Sequence, residues 1–456
     1  MTALNALLSL DKFFTGLDIP PETGRLLIAY SGGLDSHVLL HLMREFTRQT
    51  SGVSRLLALH VNHGLNPQAA EWSAHCQAVC QQWQIDFRQV ELDARAPKGE
   101  SQEAWARKLR YQALQQFVEP RDVLMTAHHQ DDMAETLLIQ LFRGSGPAGL
   151  AAMPVKIGFG QGWHYRPLLS YTRNQLKEYA QQHQLNWIED DSNLDDKYDR
   201  NLIRNTILPA IRQRWPAISQ TLHRASGLQA QAASLLEQLA TMDLQTCTTG
   251  SGNYLRVSSL IQLSNERAAN VLRYWIRTQG FTVPSARQLA EIFSGVIQAS
   301  QDTSPCVSWF GTQLRRYRDY LFITAPLPAP PEPGLEFKWD LNNECNLILG
   351  KLKAERSKGD TALSVSTDTL TVRFRRGDET IRLAGHHHQL RKLYQQYGVA
   401  ACYREFVPLL YSDNTLVAIP GMVIADEFRA GINEAGWILH WTESSTVCPG
   451  SWDECK

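Results

Sequence analysis

A short glycine-rich turn separates an apolar run from a helical pattern near the start of the chain. Apolar residues recur at helical spacing from Val38 to Phe46, the run before the turn is Leu26–Tyr30, and the turn itself reads Ser31-Gly32-Gly33-Leu34-Asp35-Ser36. In such a unit the glycines let the backbone approach a ligand closely. Unpaired N–H groups at the positive end of the helix dipole then favour an anion. The pattern predicts a phosphate-binding turn.

Two widespread phosphate motifs do not match this turn. It lacks the G-x-x-x-x-G-K-[ST] spacing with its lysine, and it lacks the dinucleotide-binding G-x-G-x-x-G. Its own chemistry lies in the hydroxyl groups of Ser31 and Ser36 and in Asp35, which can hold Mg²⁺ or position an attacking group. An ordinary turn that caps a helix is the alternative interpretation.

Composition sets broad limits on this chain of 456 residues. Its length indicates two or three domains, and its net charge of -1 means that any basic surface is local. The sequence has no unbroken apolar run of about 18 residues, no signal-peptide pattern and no C-x-x-C pair among its eight cysteines. We therefore expect a cytoplasmic protein with reduced thiols and no membrane span.

Apolar runs alternate with amphipathic stretches in the first part of the chain. Helical patterns occupy 68–83 and 102–117, between runs at 26–30, 56–61, 87–92 and 123–127. This alternation predicts an α/β fold with a doubly wound, mainly parallel sheet whose ligands bind at the C-terminal ends of the strands.

Changes of pattern divide the chain into four expected segments. The first is a catalytic α/β domain, in which the phosphate-binding turn follows the first strand. A helix-rich domain, a proline-rich linker and a small α+β domain follow, so the predicted bounds are 1–215, 216–326, 327–334 and 335–456.

A second polar cluster follows the fourth predicted strand, within the segment 127–136. On a helix, His128, Asp132 and Glu135 stand at i, i+4 and i+7 and share one face. One histidine with two carboxylates suits Mg²⁺ or an amine better than zinc, and the histidine could relay a proton. The alternative is an acidic helix start with ordinary solvated charges.

Further candidates lie on other predicted loops and helices. His60 and His63 flank the end of the second strand, where two histidines at a ligand edge suggest substrate contact. Arg107 is a candidate on the helix after the third strand, and its neighbour Arg110 reads as a surface salt-bridge residue. Additional anion donors occur on glycine- or asparagine-rich loops, namely Arg143, Arg200, Asn201 and Arg204.

A basic segment near the C-terminus favours an RNA partner. Tyr394, Tyr397 and Tyr403 are interleaved with it and would stack on exposed bases. A solvated strand with core tyrosines is the alternative. Three adjacent histidines at 386–388 cannot all face one metal ion on a regular element. The cations expected to contact phosphates are Arg373, Arg375, Arg376, Arg391, Lys392 and Arg404.

Together these residues resemble a known family. The turn at 31–36 is similar to the signature loop of the N-type ATP pyrophosphatases, which split ATP into AMP and pyrophosphate. Within that superfamily, further segments resemble the tRNA(Ile)-lysidine synthases, at 60–65, 103–111, 127–136, 143–150, 166–169 and 191–204. The combination is more specific than the first motif alone. Asn62 departs from the family pattern, because many relatives carry an acidic residue there.

The resemblance implies a two-step ligation with ATP as a substrate, Mg²⁺, and neither zinc nor an iron–sulfur cluster. ATP adenylates the C2 oxygen of the wobble cytidine in an isoleucine tRNA with a CAU anticodon, and pyrophosphate leaves. The ε-amine of free L-lysine then displaces AMP at C2 and forms lysidine, so that the tRNA reads AUA and is charged with isoleucine. The oligomeric state stays open, with a homodimer as one option.

The resemblance also implies residue roles. The turn at 31–36 would hold the pyrophosphate, and Asp35 would position Mg²⁺ or ATP. Asp132 and Glu135 would attract the lysine ammonium, a carboxylate or His128 would take its proton, and Arg107 would contact a substrate phosphate or the activated base. The basic C-terminal segment resembles the tRNA-binding domain of the longer lysidine synthases.

Three other classes compete with this interpretation. A tRNA thiolase of the same superfamily needs reactive or cluster-binding cysteines, whereas Cys76 and Cys80 are four residues apart on a predicted helix, as packing residues are. Amide-forming relatives draw ammonia from a glutaminase half, which is not evident here. A non-catalytic nucleotide or RNA binder would have little need for Asp35, His128, Asp132 and Glu135 together.

Overall fold

The computed structural model divides the chain into two compact units, Met1–Leu235 and Leu236–Lys456. It describes residues 8–20, 22–50, 55–64, 68–99, 101–189, 199–248, 252–300, 303–332 and 334–442. Cys448, Cys455 and the 191–198 part of the family-like segment at 191–204 lie outside these residues. The four predicted segment bounds stay a prediction.

A six-stranded sheet forms the centre of the first unit. Its strands are β1 (Leu26–Ala29), β2 (Leu56–Asn62), β3 (Asp86–Glu91), β4 (Val123–Met125), β5 (Lys156–Phe159) and β6 (Gly162–Tyr165). They lie in the order β3-β2-β1-β4-β6-β5, and every neighbouring pair is parallel except β5 with β6. The register pairs Leu26 with both Leu56 and Val123. The predicted mainly parallel α/β sheet is confirmed.

Helices cover this sheet and bury its apolar strands. They are α1 (Leu10–Thr15), α2 (Leu34–Gln49), α3 (Ala69–Trp83), α4 (Gln102–Gln115), α5 (Gln130–Phe142), α6 (Pro147–Leu150), α7 (Arg173–Gln182), α8 (Asp199–Leu202) and α9 (Leu208–Arg214). A π-helical turn at Ile203–Ile207 joins α8 to α9. Val38 and Leu42 of α2 pack with Leu26 and Ile28 of β1 in the main core. This packing fixes the direction in which α2 leaves the turn at 31–36.

The second unit begins within a long helix, α10 (Ile218–Cys247). Three helices follow, α11 (Val257–Leu260), α12 (Asn265–Thr278) and α13 (Ala286–Ile292), together with the strands β7 (Leu255–Arg256), β8 (Cys306–Trp309), β9 (Thr312–Tyr317) and β10 (Tyr320–Thr324). The sheet order is β7-β10-β9-β8. Leu272 and Trp275 of α12 pack with Ile292 and Leu321 in one hydrophobic cluster. The strands β9 and β10 pair antiparallel, with Tyr317 opposite Tyr320.

The rest of the second unit is rich in antiparallel strands. They are β11 (Glu336–Asp340), β12 (Cys345–Leu347), β13 (Gly350–Lys358), β14 (Thr369–Arg373), β15 (Thr380–Leu383), β16 (His386–Gln389), β17 (Leu409–Ser412), β18 (Thr415–Ile419), β19 (Val423–Ile424) and β20 (Ala435–Thr442). They form three sheets, β11-β14-β17-β18-β19, β12-β13-β20 and β15-β16. A short helix, α14 (Leu390–Gln396), follows β16. Across the described residues, none of the helices has the length and hydropathy that a membrane crossing requires.

Candidate active site

The glycine-rich turn leads directly into α2. Gly33 is the N-cap and offers no side chain to the first-turn amides. The two serines instead tie the turn together, because Ser31 Oγ and Ser36 Oγ lie 3.0 Å apart and Ser36 Oγ donates to the carbonyl of Gly33 at 3.0 Å. The first backbone N–H groups of α2 therefore have no cap from Gly33, as an anion site requires.

Only glycine fits at position 32. Its φ is +83°, and a Cβ there would lie 2.8 Å from both Cys76 Sγ and Ile188 Cδ1. Its carbonyl accepts a hydrogen bond from Ile188 N at 3.0 Å, which anchors the turn. Cys76 thus packs behind the turn, as predicted, and burial raises the pKa of its thiol to about 12. A protonated, buried thiol is a poor sulfur nucleophile, which disfavours the thiolase alternative.

The structure corrects the placement of His128. Helix α5 begins at Gln130, and its N-cap is His129. His129 and Asp132 form a capping box, in which Asp132 Oδ2 accepts from the His129 backbone N–H at 3.0 Å. Because this cap places the first helical residue at Gln130, His128 lies before the helix. His128 therefore does not share a helical face with Asp132 and Glu135. The spacing of His129 and Asp132, cap to third helical residue, was the sequence signal that could have shown this.

His129 links the two halves of the candidate site. Its Nε2 lies 3.6 Å from Asp35 Oδ2 in the turn and 3.4 Å from Asp132 Oδ2 on α5. Burial opposes the charged ring, but the carboxylates of Asp132 and Asp35 outweigh burial and raise the pKa of His129 above its ordinary value. His129 is not among the site residues that the sequence pattern predicted.

Two arginines form ion pairs with the two carboxylates of α5, Asp132 and Glu135. Arg200 donates to Asp132 Oδ1 at 2.8 Å and to Glu135 Oε2 at 2.7 Å. Arg204 reaches the same carboxylates, at 3.1 Å from Asp132 Oδ1 and 2.6 Å from Glu135 Oε1. Burial by itself raises the pKa of Asp132, yet His129 and the arginines outweigh it and hold the pKa well below its usual range. The four residues form a formally neutral cluster in which Glu135 is 1 % exposed.

The two histidines at the C-terminal end of β2, His60 and His63, have different surroundings. His60 is 5 % exposed, with Nδ1 2.9 Å from the Tyr30 carbonyl and Nε2 3.0 Å from Ser73 Oγ. This placement supports the strand next to the turn and does not favour a substrate contact by His60. His63 Nε2 accepts from Arg110 Nε at 2.9 Å. Arg110 is exposed, as expected of a surface residue, but it donates to the imidazole of His63 and not to a carboxylate.

The remaining first-unit candidates are spread over three elements. Arg107 lies on α4, with its guanidinium 5.3 Å from the centre of the Tyr111 ring. Asn201 lies on α8 between the two arginines of the acidic cluster. Arg143 is exposed at the C-cap of α5, eleven residues and so about 16 Å along the helix from Asp132. Their substrate contacts stay predictions.

The cations of the basic C-terminal segment differ in their exposure and in their partners. Arg373 and Arg376 lie 2.8 Å and 3.5 Å from Glu336, and they line a cavity of about 390 Å³ with Tyr411. Arg404 Nε donates to the Val399 carbonyl at 3.0 Å, and Arg375 is half-buried. Arg391 and Lys392 are exposed on α14.

Two tyrosines of this segment are not available for base stacking. Tyr394 is 0 % exposed and Tyr403 is 1 % exposed, and both belong to one hydrophobic cluster. Leu390, Leu393 and Tyr394 form the buried face of α14, which explains the placement of Tyr394. The structure thus corrects their predicted role, while Tyr397 is half-buried.

The fold and the turn define a PP-loop α/β protein that uses ATP. A PP-loop domain family matches residues 6–211, which include the turn, the sheet and α5. Two further families match the second unit, the TilS substrate binding domain at 255–322 and the TilS substrate C-terminal domain at 370–441. The chain belongs to the tRNA(Ile)-lysidine synthase family.

Curated relatives span nearly the whole chain. The tRNA(Ile)-lysidine synthase of Coxiella burnetii is 40 % identical, over 93 % of this chain and 94 % of the relative. Proteins of the same name from Methylococcus capsulatus and Yersinia pseudotuberculosis are each 38 % identical. They cover 95 % and 92 % of this chain and 99 % and 96 % of their own lengths.

Proposed function

We propose that this protein ligates lysine to C2 of the wobble cytidine in an isoleucine tRNA with a CAU anticodon. The reaction runs through an adenylated tRNA and yields lysidine, AMP and pyrophosphate. The protein acts in the cytoplasm, where ATP, free lysine and tRNA are all available. Membership of the family supports the proposal, and one geometric relationship carries it.

That relationship is the position of His129 between the turn and α5. A single imidazole lies within 3.6 Å of Asp35 and within 3.4 Å of Asp132. A phosphate site and an acidic site therefore share one edge of the sheet, beyond the C-terminal ends of β1 and β4. Activation of an oxygen by ATP and attack by an amine need such adjacent sites, because the adenylated intermediate must meet the second substrate without leaving.

The turn serves the first step. The cytidine O2 attacks the α-phosphorus, the bond from that phosphorus to the β-bridging oxygen breaks, and the N–H groups and hydroxyls at 31–36 hold the departing pyrophosphate. Asp35 Oδ1 is buried and accepts no hydrogen bond from any residue the structure describes. An unpaired carboxylate oxygen fits Mg²⁺, which binds through one or two carboxylates plus substrate phosphates. The described residues contain no group of three or more His, Cys, Asp or Glu that could hold a metal ion.

The acidic cluster serves the second step. The lysine ammonium binds beside Asp132 and Glu135, whose carboxylates also form ion pairs with Arg200 and Arg204. The ammonium loses a proton to a nearby base, Nζ attacks C2, and the C2–O2 bond breaks as O2 leaves with AMP. From the residue types alone, the base is a carboxylate of α5 or His128.

The C-terminal segment contacts tRNA in this proposal. Arg376, Arg391 and Lys392 are exposed, and the half-buried Arg373, Arg375 and Arg404 complete the basic surface. Arg107, His63, Arg143 and Asn201 contact substrate within the catalytic domain at 1–215. The helix-rich domain at 216–326 and the domain at 335–456, joined by the linker at 327–334, read tRNA features outside the anticodon.

Incorporation of labelled lysine into an unmodified isoleucine tRNA with a CAU anticodon tests the proposal. We expect incorporation that depends on ATP and releases pyrophosphate. Thiolation of the tRNA without lysine incorporation would overturn the proposal. The Asp132→Asn variant tests the amine site, with adenylation and lysine transfer assayed separately. We expect adenylation to persist and transfer to fall, whereas undiminished transfer would remove Asp132 from the lysine site.

A further inference from the structure

A chain of hydrogen bonds leads from a buried arginine to His128. Arg166 Nη2 lies 3.1 Å from His164 Nδ1, His164 Nε2 lies 2.8 Å from Thr126 Oγ1, and Thr126 Oγ1 lies 2.8 Å from His128 Nδ1. The parallel pairing of β4 with β6 places these residues together, because it aligns Met125 with Tyr165. Thr126 follows β4 directly and Arg166 follows β6, so the chain lies at the ligand edge of the sheet.

The arginine sets the direction of every bond in this chain. A guanidinium can only donate, so His164 Nδ1 must accept and carries no proton. Burial is the main cause that lowers the pKa of His164 to about 3, so the ring is neutral and its proton lies on Nε2. That N–H donates to Thr126 Oγ1. The hydroxyl proton of Thr126 then points to His128 Nδ1, which must accept it.

The opposite orientation at His128 would leave a buried proton without a partner. If His128 Nδ1 carried a proton and donated it to Thr126, the threonine hydroxyl would receive two donors and have no acceptor for its own proton within the described residues. Thr126 is 7 % exposed, and an unsatisfied buried donor costs about 1–3 kcal/mol. Burial also lowers the pKa of His128 to about 3, so the ring is neutral.

We propose that Arg166, His164 and Thr126 are positioning residues that fix His128 as the Nε2–H tautomer, so that His128 donates a hydrogen bond to an anionic oxygen of the bound nucleotide and does not act as the base. The inference rests on the proposed ligation. The His128 ring is half-buried, and Arg107, Arg166 and Arg200 add positive charge around it, which suits a phosphate oxygen. A neutral imidazole that donates a hydrogen bond is an established catalytic device. The proton of the lysine ammonium passes instead to a carboxylate of α5 or to water.

Substitution of His128 separates a donor from a base. Glutamine places an amide N–H₂ near the position of Nε2 but cannot take a proton at neutral pH, whereas asparagine reaches only the position of Nδ1. We expect His128→Gln to keep at least about a tenth of the wild-type kcat for lysine transfer, and His128→Asn and His128→Ala to lose about 100-fold or more, a typical loss when one hydrogen-bond donor to a reacting anionic oxygen is removed. Equal loss in all three variants would overturn the donor role.

Nitrogen NMR of the full chain labelled with ¹⁵N-histidine reads the tautomer without any activity. The His128 signals are assigned by their absence from His128→Gln. We expect an unprotonated Nδ1 and a protonated Nε2 in the wild type and in Thr126→Ser, which keeps the hydroxyl, and a loss of this fixed tautomer in Thr126→Val. A protonated Nδ1 in the wild type at neutral pH would overturn the inference. Because this readout needs no substrate, failure of the ligation assay alone would concern the proposed function and not the tautomer.

Discussion

Arg204 Nε donates a hydrogen bond to Glu135 Oε1 at 2.6 Å, and the carboxylate that receives it is almost completely buried. Arg200 binds the same carboxylate through its other oxygen at 2.7 Å. A buried carboxylate is stable as an anion only where cations and donors surround it. The acidic site of α5 is therefore already neutralised, and in the proposed reaction the lysine ammonium would share it with two guanidinium groups.

Removal of the Glu135 charge should destabilise the first unit. In Glu135→Gln, two partly buried guanidinium groups are left with Asp132 alone, and breaking a buried pair on one side costs about 3 kcal/mol. We expect a lower urea midpoint in the transition of this unit. Arg143→Gln on the same helix is the control, and its effect should stay within about 0.5 kcal/mol because Arg143 is exposed. Equal midpoints for both variants would contradict this prediction.

Because Gly32 is crowded, its replacement should destabilise the protein more than replacement of another glycine with a positive φ. Gly32→Ala meets Cys76 and Ile188 at 2.8 Å, whereas the Cβ in Gly144→Ala, also at positive φ, meets no described atom within 4 Å. Backbone strain alone costs about 1–2 kcal/mol, and the collision adds to it. The free energy of unfolding measured in urea should be lower for Gly32→Ala than for Gly144→Ala. The rate of pyrophosphate release should fall only in Gly32→Ala. The reverse ranking would show that the turn relaxes without cost.

Acid should weaken the core behind the turn. Burial is the main cause that lowers the pKa of His37 to about 4, from an ordinary value of 6.5. Between pH 6.5 and about pH 4, His37 therefore binds more protons in the unfolded chain than in the folded one. The stability that His37 contributes above pH 6.5 is lost progressively as the pH falls towards 4, by at most about 1.4 kcal/mol per pH unit.

Urea unfolding at a series of pH values measures this loss. The His37→Asn variant keeps a polar group for the Tyr30 hydroxyl, which lies 2.9 Å from His37 Nδ1, but does not titrate. We expect a shallower pH dependence than in the wild type. His387→Asn, at an exposed position on β16, should follow the wild type. If both variants followed the wild type, His37 would not be the group that titrates.

Neutralising the exposed cations of α14 should weaken tRNA binding through phosphate contacts. We expect the double variant Arg391→Gln/Lys392→Gln to bind the isoleucine tRNA less tightly. The slope of log affinity against log salt should fall by about 1–2, since each lost phosphate contact removes about 0.7–0.9. Lys351→Gln/Lys358→Gln, with the same charge change on exposed residues of β13, is the control. An equal loss in both would indicate a general charge effect rather than a contact surface.

Local features of the sequence predicted the scaffold of the site correctly. The strand β1, the turn at 31–36 and the helix α2 depend on apolar periodicity and on glycine, which act over a few residues. The same reasoning placed His128 on α5. It failed because His129 is the N-cap and pairs with Asp132, so the helix begins only at Gln130, a detail that periodicity does not encode. The stacking role of Tyr394 and Tyr403 failed because periodicity alone does not say which face of an element will be covered.

A glycine turn after the first strand of a mainly parallel sheet was predictable from local pattern, since strand, glycine turn and helix are consecutive. The surroundings of that turn follow from long-range packing. Arg200 and Arg204 reach Glu135 from 65 and 69 residues away, and His164 reaches Thr126 across 38 residues. Such contacts depend on strand register and helix docking, which arise when the whole core packs. The charge state and the tautomer of the site are therefore properties of the fold.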